Sequence, residues 1–271
     1  MFDAAPLPDL PLMQDPAFGA ALRLCGELPV ILPSGLLLLS RRVLGVPILM
    51  LPRAAPPDDL AAQLAQAGLH RRPLILSPER AAPVTGALRI AAPRVLWRVD
   101  LTQNEQTRRK MLHQNWRHQL GQAQAGPLRV LHRPFSPDHP LLELDAAQAK
   151  ARRYQGWPMS LTAAFAQLAP DRTHLFTALL RGHPVAHMLF LTHGGCATYH
   201  IGHSTQEGRA HHAHNLLLWE AMKVLATRGT TSLDLGSGTT PQIDRFKRRA
   251  GAQAVPTGGT WLRWRPWAHA R

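Results

Sequence analysis

Two short glycine turns between three apolar runs constrain the fold of this chain more than any other feature. The runs are HLFTALLR (174–181), PVAHMLFLTH (184–193) and CATYHIGHS (196–204), and the turns are Gly182-His183 and Gly194-Gly195. Two-residue turns that contain glycine typically join antiparallel strands. The segment therefore predicts a three-stranded β-meander.

A helix follows the meander at 209–229. Leu217, Ala221 and Leu225 recur at a spacing of four residues, and Gly229 stands where a helix C-terminus needs it. Three further elements are predicted: a strand in TSLDLG (231–236), a helix in PQIDRFKRRAG (241–251) and a strand in TWLRWRPW (260–267). A helix that connects strands of one sheet implies a mixed layer. The predicted fold class is α/β (α+β), with a mixed sheet flanked by helices.

The first hundred residues predict a shorter unit of the same kind. Helices are predicted at 16–27 and 56–69, and strands at 30–32, 36–40, 43–51, 73–77 and 94–101. Between the two parts, helices are predicted at 103–126, 145–155 and 160–168, and a strand at 128–134. We therefore expect a truncated N-terminal subdomain over 1–101 and a complete domain over 102–271. The similar order of elements suggests an internal duplication.

The net charge of +14 is unevenly placed. Residues 1–70 are slightly acidic, whereas residues 94–133 hold eight basic and two acidic side chains and residues 243–271 hold seven and one. This asymmetry indicates an anionic partner, namely nucleic acid, a phosphorylated cofactor or an anionic membrane surface that the protein contacts peripherally. A solvated basic face is the alternative.

No targeting or membrane-spanning segment is predicted. The start of the chain has no basic region before an apolar one, and Arg41 and Arg42 interrupt the most apolar stretch, 36–51. Cys25 and Cys196 lack any metal-binding spacing. The expected location is cytoplasmic.

Two motifs are better explained by structure than by chemistry. SLDLGSGTT (232–240) looks like the glycine turn of a methyltransferase, but only about 30 residues follow it, too few for the rest of a doubly wound domain. Nine of the fifteen histidines lie between His174 and His214 without the spacing of a metal site, so no metal is predicted. His200 or His203 remains a candidate proton acceptor.

The C-terminal half resembles FemAB-like proteins of the GNAT superfamily of N-acyltransferases. The residues that carry the resemblance are Tyr199, Leu217-Leu218-Trp219-Glu220, Gly229, Asp234 with Gly236, Phe246-Lys247 and Gly251, together with the upstream segments TRRKMLHQNWRHQLGQAQ and ARRYQGWPMS. The similarity covers roughly residues 95–265. It implies a GNAT-like C-terminal domain, a shortened GNAT-like N-terminal half, and direct attack of an acceptor amine on an activated acyl group.

The resemblance also implies roles for individual residues. Lys247 would stabilise phosphate or developing negative charge, and the strand that bears Tyr199 and His200 would hold the oxyanion through its backbone amides. The residues expected to bind the donor are Gln206, Gly208, Arg209, Asn215 and Phe246. The residues expected to bind substrate are Arg109, Arg117, Arg152, Arg153 and Asp234. Surface positions for the cations and a core position for Phe246 are the structural alternatives.

The sequence does not identify the acyl donor. TQEGRAHHAHN (205–215) offers Gln206, Gly208 and Ala210, but not at the spacing of the acetyl-CoA loop, where backbone amides bind pyrophosphate. Acyl-CoA, acyl carrier protein and aminoacyl-tRNA are the candidate donors, and no permanently bound cofactor is expected. A catalytically silent nucleic-acid-binding module is the alternative from another class, since Trp261, Trp264 and Trp267 alternate with Arg263 and Arg265.

Overall fold

The computed structural model describes residues 10–43, 45–82, 84–238 and 240–264. They form two compact units. The large unit contains residues 10–12 and Leu96–Ala254, and the small unit contains 13–95 and 255–264. Each unit has its own mixed sheet and its own buried core.

The small unit has a six-stranded sheet in the order β1-β2-β3-β4-β13-β5. Its elements are α1 (Pro16–Leu24), β1 (Val30–Ile31), β2 (Leu37–Val43), β3 (Val46–Arg53), α2 (Leu60–Gln66), β4 (Leu74–Pro78), β5 (Leu88–Ala91) and β13 (Thr260–Arg263). Strands β3 and β4 are parallel and flank the crossover helix α2. The other neighbouring strands of this sheet pair antiparallel. Leu49, Leu64 and Leu74 are almost fully buried between the sheet and α2.

The large unit has a seven-stranded sheet in the order β12-β6-β11-β10-β9-β8-β7. Its strands are β6 (Val95–Asp100), β7 (Leu128–Arg133), β8 (Thr173–Leu180), β9 (His183–His193), β10 (Cys196–Ser204), β11 (Ser232–Asp234) and β12 (Gln253–Pro256). Strands β7 to β10 pair antiparallel in sequence order, which confirms the predicted meander, and β11 pairs parallel to β10.

The described part of the large unit contains seven α-helices. They are α3 (Glu105–Met111), α4 (Gln114–Ala125), α5 (Leu141–Arg152), α6 (Met159–Leu168), α7 (Gln206–Ala210), α8 (Ala213–Thr227) and α9 (Pro241–Arg249). Trp116 of α4 and Trp219 of α8 are each 1% exposed and pack with Phe176 and Phe190 of the sheet, which fixes α4 and α8 on one face. The longest described helix, α8, has 15 residues, and none of the described helices is long and apolar enough to cross a bilayer.

Two predicted helices are wrong as single elements. The helix predicted at 103–126 is interrupted because Leu112 is extended and His113 caps α4 with its side chain. The helix predicted at 209–229 begins only at Ala213, because His212 adopts a left-handed conformation (φ 53°) between α7 and α8.

The last described strand also differs from expectation. TWLRWRPW was predicted as the final strand of the C-terminal domain, but β13 pairs with β4 and β5 of the small unit. The chain therefore returns to its N-terminal sheet after β12. Strands β5 and β12 were not predicted.

Candidate functional site

An open strand edge marks the candidate site. Strand β10 pairs with β11 only from Cys196 to Thr198, yet it continues to Ser204 along β9. Where the pairing with β11 ends, the register with β9 also shifts, between Tyr199 and Ile201. A bulge of this kind re-aims side chains and interrupts pairing. Strands β10 and β11 therefore separate at Tyr199.

His200 lies in the bulge and points towards α6. Its Nε2 is 2.9 Å from Oγ1 of Thr162, and its ring contacts Trp157 edge-on with centroids 4.6 Å apart. These surroundings desolvate the imidazole and lower the pKa of His200 to about 4. The neutral form therefore prevails at neutral pH.

The Tyr199 side chain packs against the Cα of Gly202. A Cβ added to Gly202 would overlap the Tyr199 ring and hydroxyl, so only glycine leaves room for this tyrosine. Burial raises the pKa of the Tyr199 hydroxyl, and the nearby Tyr154 and Asp145 add to this effect. Tyr199 is therefore a neutral hydroxyl at the start of the open edge.

A polar network from α5 reaches the same strand, and sequence reasoning missed it. Gln148 donates to the Gly202 carbonyl at 3.1 Å and to the Tyr154 hydroxyl at 3.2 Å, and this hydroxyl donates to Asp145 Oδ1 at 2.7 Å. Burial raises the pKa of Tyr154. Asp145 and Gln148 stand three residues apart on a predicted helix, and this spacing was the one available signal.

The loop after β11 forms another wall of this region. Asp234, which is opposite Thr198, accepts from the Gly236 amide at 2.6 Å. Lys247 of α9 is 6% exposed and donates to the carbonyls of Gly236 (3.3 Å) and Ser237 (2.9 Å). Burial lowers the pKa of Lys247 to about 8, although Asp234 and Asp244 oppose this effect. Lys247 and Asp234 thus hold one loop from two sides.

Asp244 and Phe246 anchor α9. Asp244 accepts from Nε1 of Trp97 in β6 at 2.5 Å and lies where a side chain at position 238 would be. Phe246 packs against Trp116 with ring centroids 6.0 Å apart, on the edge of the core. Sequence reasoning assigned Phe246 to donor binding, and the structure places it in contact with α4.

The segment predicted to bind an anionic donor, 205–215, forms hydrogen bonds to neighbouring groups of the same chain. Thr205 caps α7 by accepting from the Gly208 amide at 3.1 Å, and Gly208 approaches the Val185 carbonyl so closely that a Cβ would clash. Arg209 is exposed and donates to the Ser204 carbonyl at 2.7 Å. Gln206, the first residue of α7, is exposed.

A polar groove of about 740 Å³ runs along α4 next to the α7–α8 junction. Its lining residues are Gln114, Asn115, Arg117, His118, Gln119, Gln122 and His212. The predicted donor-binding residue Asn215 is buried in the first turn of α8 and donates to Gln119 at 3.3 Å. The groove therefore offers amide and imidazole groups with one guanidinium, that of Arg117.

The other predicted cations are dispersed. Arg109 is exposed on α3 and lies 5.8 Å from the ring centroid of Trp219. Arg152 and Arg153 are exposed at the end of α5, where Arg153 is left-handed (φ 56°). Buried Arg108, which sequence reasoning passed over, donates to the Leu101 carbonyl at 3.1 Å.

Arg265 and Trp267 of the tryptophan–arginine pattern lie outside the described residues. Within the described ranges, no group of three or more histidine, cysteine or acidic side chains is arranged to hold a metal ion. Several histidines instead bond to one another or to neighbouring polar groups, as His132 does with His174 at 3.1 Å.

Comparison with known proteins gives one family and several similar folds. Residues 106–248, just over half of the chain, match the model of the Acetyltransferase (GNAT) domain. FemX superposes with a TM-score of 0.74 at 12% identity, covering 96% of this chain and 94% of FemX. No curated protein matches the chain in sequence.

Two further solved structures share the fold. The C-terminal DUF2156 domain of an Agrobacterium fabrum protein named as a lysylphosphatidylglycerol synthetase has a TM-score of 0.60 at 15% identity, over 93% of this chain and 89% of that one. L-PGS from Bacillus licheniformis has a TM-score of 0.57 at 11% identity, over 95% and 94%. These likenesses cover nearly the whole chain, both sheets included.

Proposed function

We propose how this chain, which belongs to the GNAT acetyltransferase family and is therefore an acyltransferase, carries out its reaction. An acceptor amine attacks the carbonyl of an activated acyl or aminoacyl donor directly. The new C–N bond forms first and places negative charge on the carbonyl oxygen of a tetrahedral intermediate. Collapse of this intermediate breaks the bond to the leaving oxygen or sulfur, and the proton that the nitrogen loses passes to that leaving group. The product is an amide, and no covalent enzyme intermediate is required.

One observation carries this proposal: β10 separates from β11 at Tyr199 while its chain continues to Ser204. An open strand edge presents backbone amides that can hold the oxyanion of a tetrahedral intermediate. Around this edge stand neutral His200 and the hydroxyls of Tyr199 and Tyr154. Direct transfer agrees with this set of groups, since none of them is an activated nucleophile.

Lys247 supplies the positive charge in the proposed site. Its ammonium donates to the loop carbonyls of Gly236 and Ser237 and lies beside the strand end at Asp234. In this role it positions the loop and offsets negative charge that develops on the donor during transfer. Removal of Lys247 should therefore lower the transfer rate rather than only the affinity for the donor.

An aminoacyl ester of tRNA is the donor that we favour. The Gly208 amide, a donor that a pyrophosphate group would need, is bonded to Thr205, and one of the five N–H groups of Arg209 is bonded to the Ser204 carbonyl. The groove along α4 presents amide side chains, which suit hydrogen bonding to nucleotide bases. The Fem-type transferases that the sequence resembles also take aminoacyl-tRNA.

A CoA thioester is the second candidate donor, and the match to a GNAT acetyltransferase model favours it. Acyl carrier protein would present the same thioester chemistry on an anionic protein. The two donor classes differ in their leaving atom and in their size, so a single panel separates them.

The test is a transfer assay with the full chain. Charged tRNA, acyl-CoA and acyl carrier protein are each offered with a panel of primary amines, and the amide products are measured by mass spectrometry. We expect product from charged tRNA, at least 100-fold less with Lys247→Ala, and an unchanged rate with Lys223→Ala, a lysine paired to Glu220 on α8. Product from a thioester alone would overturn the tRNA donor, and an undiminished rate in Lys247→Ala would overturn the role of Lys247.

A further inference from the structure

Strand β5 is exposed along its whole length. It stands at the edge of the small unit's sheet, and all four of its residues are exposed. Leu88 is 70% exposed and Ile90 is 50% exposed. Edge strands are normally short, charged or covered, which prevents pairing with another chain. Leu88 and Ile90 lie on one face of β5, because side chains alternate along a strand, and both are exposed. Such an exposed apolar group indicates a surface that binds something else.

Neighbouring residues extend the apolar character of this edge. Leu88 is opposite Leu262 of β13, and Trp264, directly after β13, is 58% exposed. Val95, four residues after the end of β5 and the first residue of β6, is 43% exposed. We call the set Leu88, Arg89, Ile90, Arg94, Val95 and Trp264 the edge surface.

The charge of this surface has a single sign. Its two charged residues are Arg89 and Arg94, which are both exposed, and none of its six residues is acidic. The Arg89 guanidinium lies 6.0 Å from the ring centroid of Trp261. The edge surface therefore combines aliphatic side chains, one tryptophan and two guanidinium groups.

The aliphatic, tryptophan and guanidinium groups of the edge surface fit one of three possible partners better than the other two. A second copy of the chain would bring guanidinium groups against guanidinium groups, which is unfavourable without acidic counterparts. Single-stranded RNA would use the arginines and Trp264 but not the aliphatic side chains, because bases stack on aromatic rings. An anionic bilayer uses all three components: headgroups attract arginine, tryptophan lies at the interface, and aliphatic side chains enter the acyl boundary.

We propose that the edge surface binds the surface of an anionic lipid bilayer, with Leu88, Ile90 and Trp264 inserted at the interface and Arg89 and Arg94 against the headgroups. The protein then associates with the membrane peripherally. This binding does not depend on which donor or acceptor the large unit uses.

The test is sedimentation of the full chain with vesicles of phosphatidylcholine containing 30% phosphatidylglycerol or none. We expect binding to the anionic vesicles only, weakened at high salt. Leu88→Ser/Ile90→Ser should weaken it at least tenfold. Arg89→Gln/Arg94→Gln should weaken it about 25-fold, since one basic residue near such a surface is worth about a fivefold change in affinity.

Matched variants act as controls. Leu24→Ser/Leu28→Ser removes two leucines that are 53% and 81% exposed on another part of the small unit, and should leave binding unchanged. All variants are first compared with the wild type in thermal unfolding and in the transfer rate with soluble substrates.

Three outcomes would overturn the proposal. One is equal binding by Leu88→Ser/Ile90→Ser and the wild type. Another is binding of a single-stranded RNA, and not of vesicles, that depends on the same residues. The last is a lipid-free dimer in sedimentation velocity that dissociates on Leu88→Ser/Ile90→Ser. None of these would bear on acyl transfer.

Discussion

Burial of the Lys247 ammonium changes its pKa and makes its contribution to stability depend on pH. A lysine in the run FKRRAG would ordinarily be a solvated helix residue, yet its ammonium is buried and bonded to two backbone carbonyls. Burial disfavours the charged form, so the pKa falls from 10.5 to about 8. Because the unfolded chain keeps a proton on this lysine that the folded chain releases, stability from this group rises as the pH increases from 8 to 10.5.

This shift predicts an unusual titration for Lys247. Selective isotope labelling of lysine and a pH titration by NMR should give a resonance with a midpoint near 8. Lys247→Met should remove this resonance. The absence of any lysine resonance with a midpoint near 8 would contradict the buried, bonded state of Lys247.

The C-terminal end of α5 positions the polar network that contacts β10. α5 ends on Arg153, which is left-handed (φ 56°, ψ 41°), a conformation that favours glycine over any residue with a Cβ. The same turn leads into Tyr154, which joins Asp145 to Gln148 and so connects α5 to Gly202 of β10. The strained cap therefore stands directly beside the network at the open edge.

Two glycine substitutions at this helix end should have opposite signs. Arg153→Gly relieves the left-handed strain and should raise the free energy of unfolding by about 0.5 to 1 kcal/mol. Arg152→Gly, one residue earlier and helical, should lower it by about 1 kcal/mol. Urea unfolding measures both.

The same pair tests the predicted role of Arg153 in substrate binding. If the guanidinium binds substrate, Arg153→Gly gains stability and loses affinity for the substrate. A loss of stability in Arg153→Gly would show that its side chain contributes more to the fold than the strain costs.

Buried histidines determine how the whole molecule responds to acid. His174 is 4% exposed and bonds to His132, and His187 is 8% exposed and bonds to Thr177. Burial, followed by the neighbouring His132 and Arg228 for His174 and by His139, His203 and His214 for His187, lowers the pKa of each to about 4. Between pH 6.5 and 4 the unfolded chain binds protons at these positions that the folded chain does not, so stability falls as the pH falls.

The large unit should therefore lose stability steeply below pH 6.5. Each of the two histidines accounts for roughly 3 kcal/mol by pH 4. Urea unfolding followed by tryptophan fluorescence at pH 7.5, 6, 5 and 4 measures the loss. His187→Asn should flatten this dependence. A flat profile in the wild type would contradict the burial of these rings as neutral groups.

Most of the elements follow from the sequence, whereas the roles that it assigns to site residues stay predictions. The meander, the strand at Leu233 and the helix at Lys247 follow from short-range patterns: glycine turns, apolar periodicity and a proline in the first helical turn. The two interrupted helices were missed because a histidine cap and a left-handed histidine leave no mark in the apolar periodicity. The roles assigned to the exposed arginines stay predictions.

The sequence by itself determined the order and type of most elements, because these depend on residues that are near one another along the chain, and it determined the acyltransferase family through the order of short motifs. Only the tertiary structure decided three other things: that β13 joins the N-terminal sheet, that β10 leaves β11 at Tyr199, and that Gln148 reaches Gly202. Each of these depends on contacts between segments far apart in sequence. Such contacts are set by strand register and by which faces are buried together, and no local pattern encodes that choice.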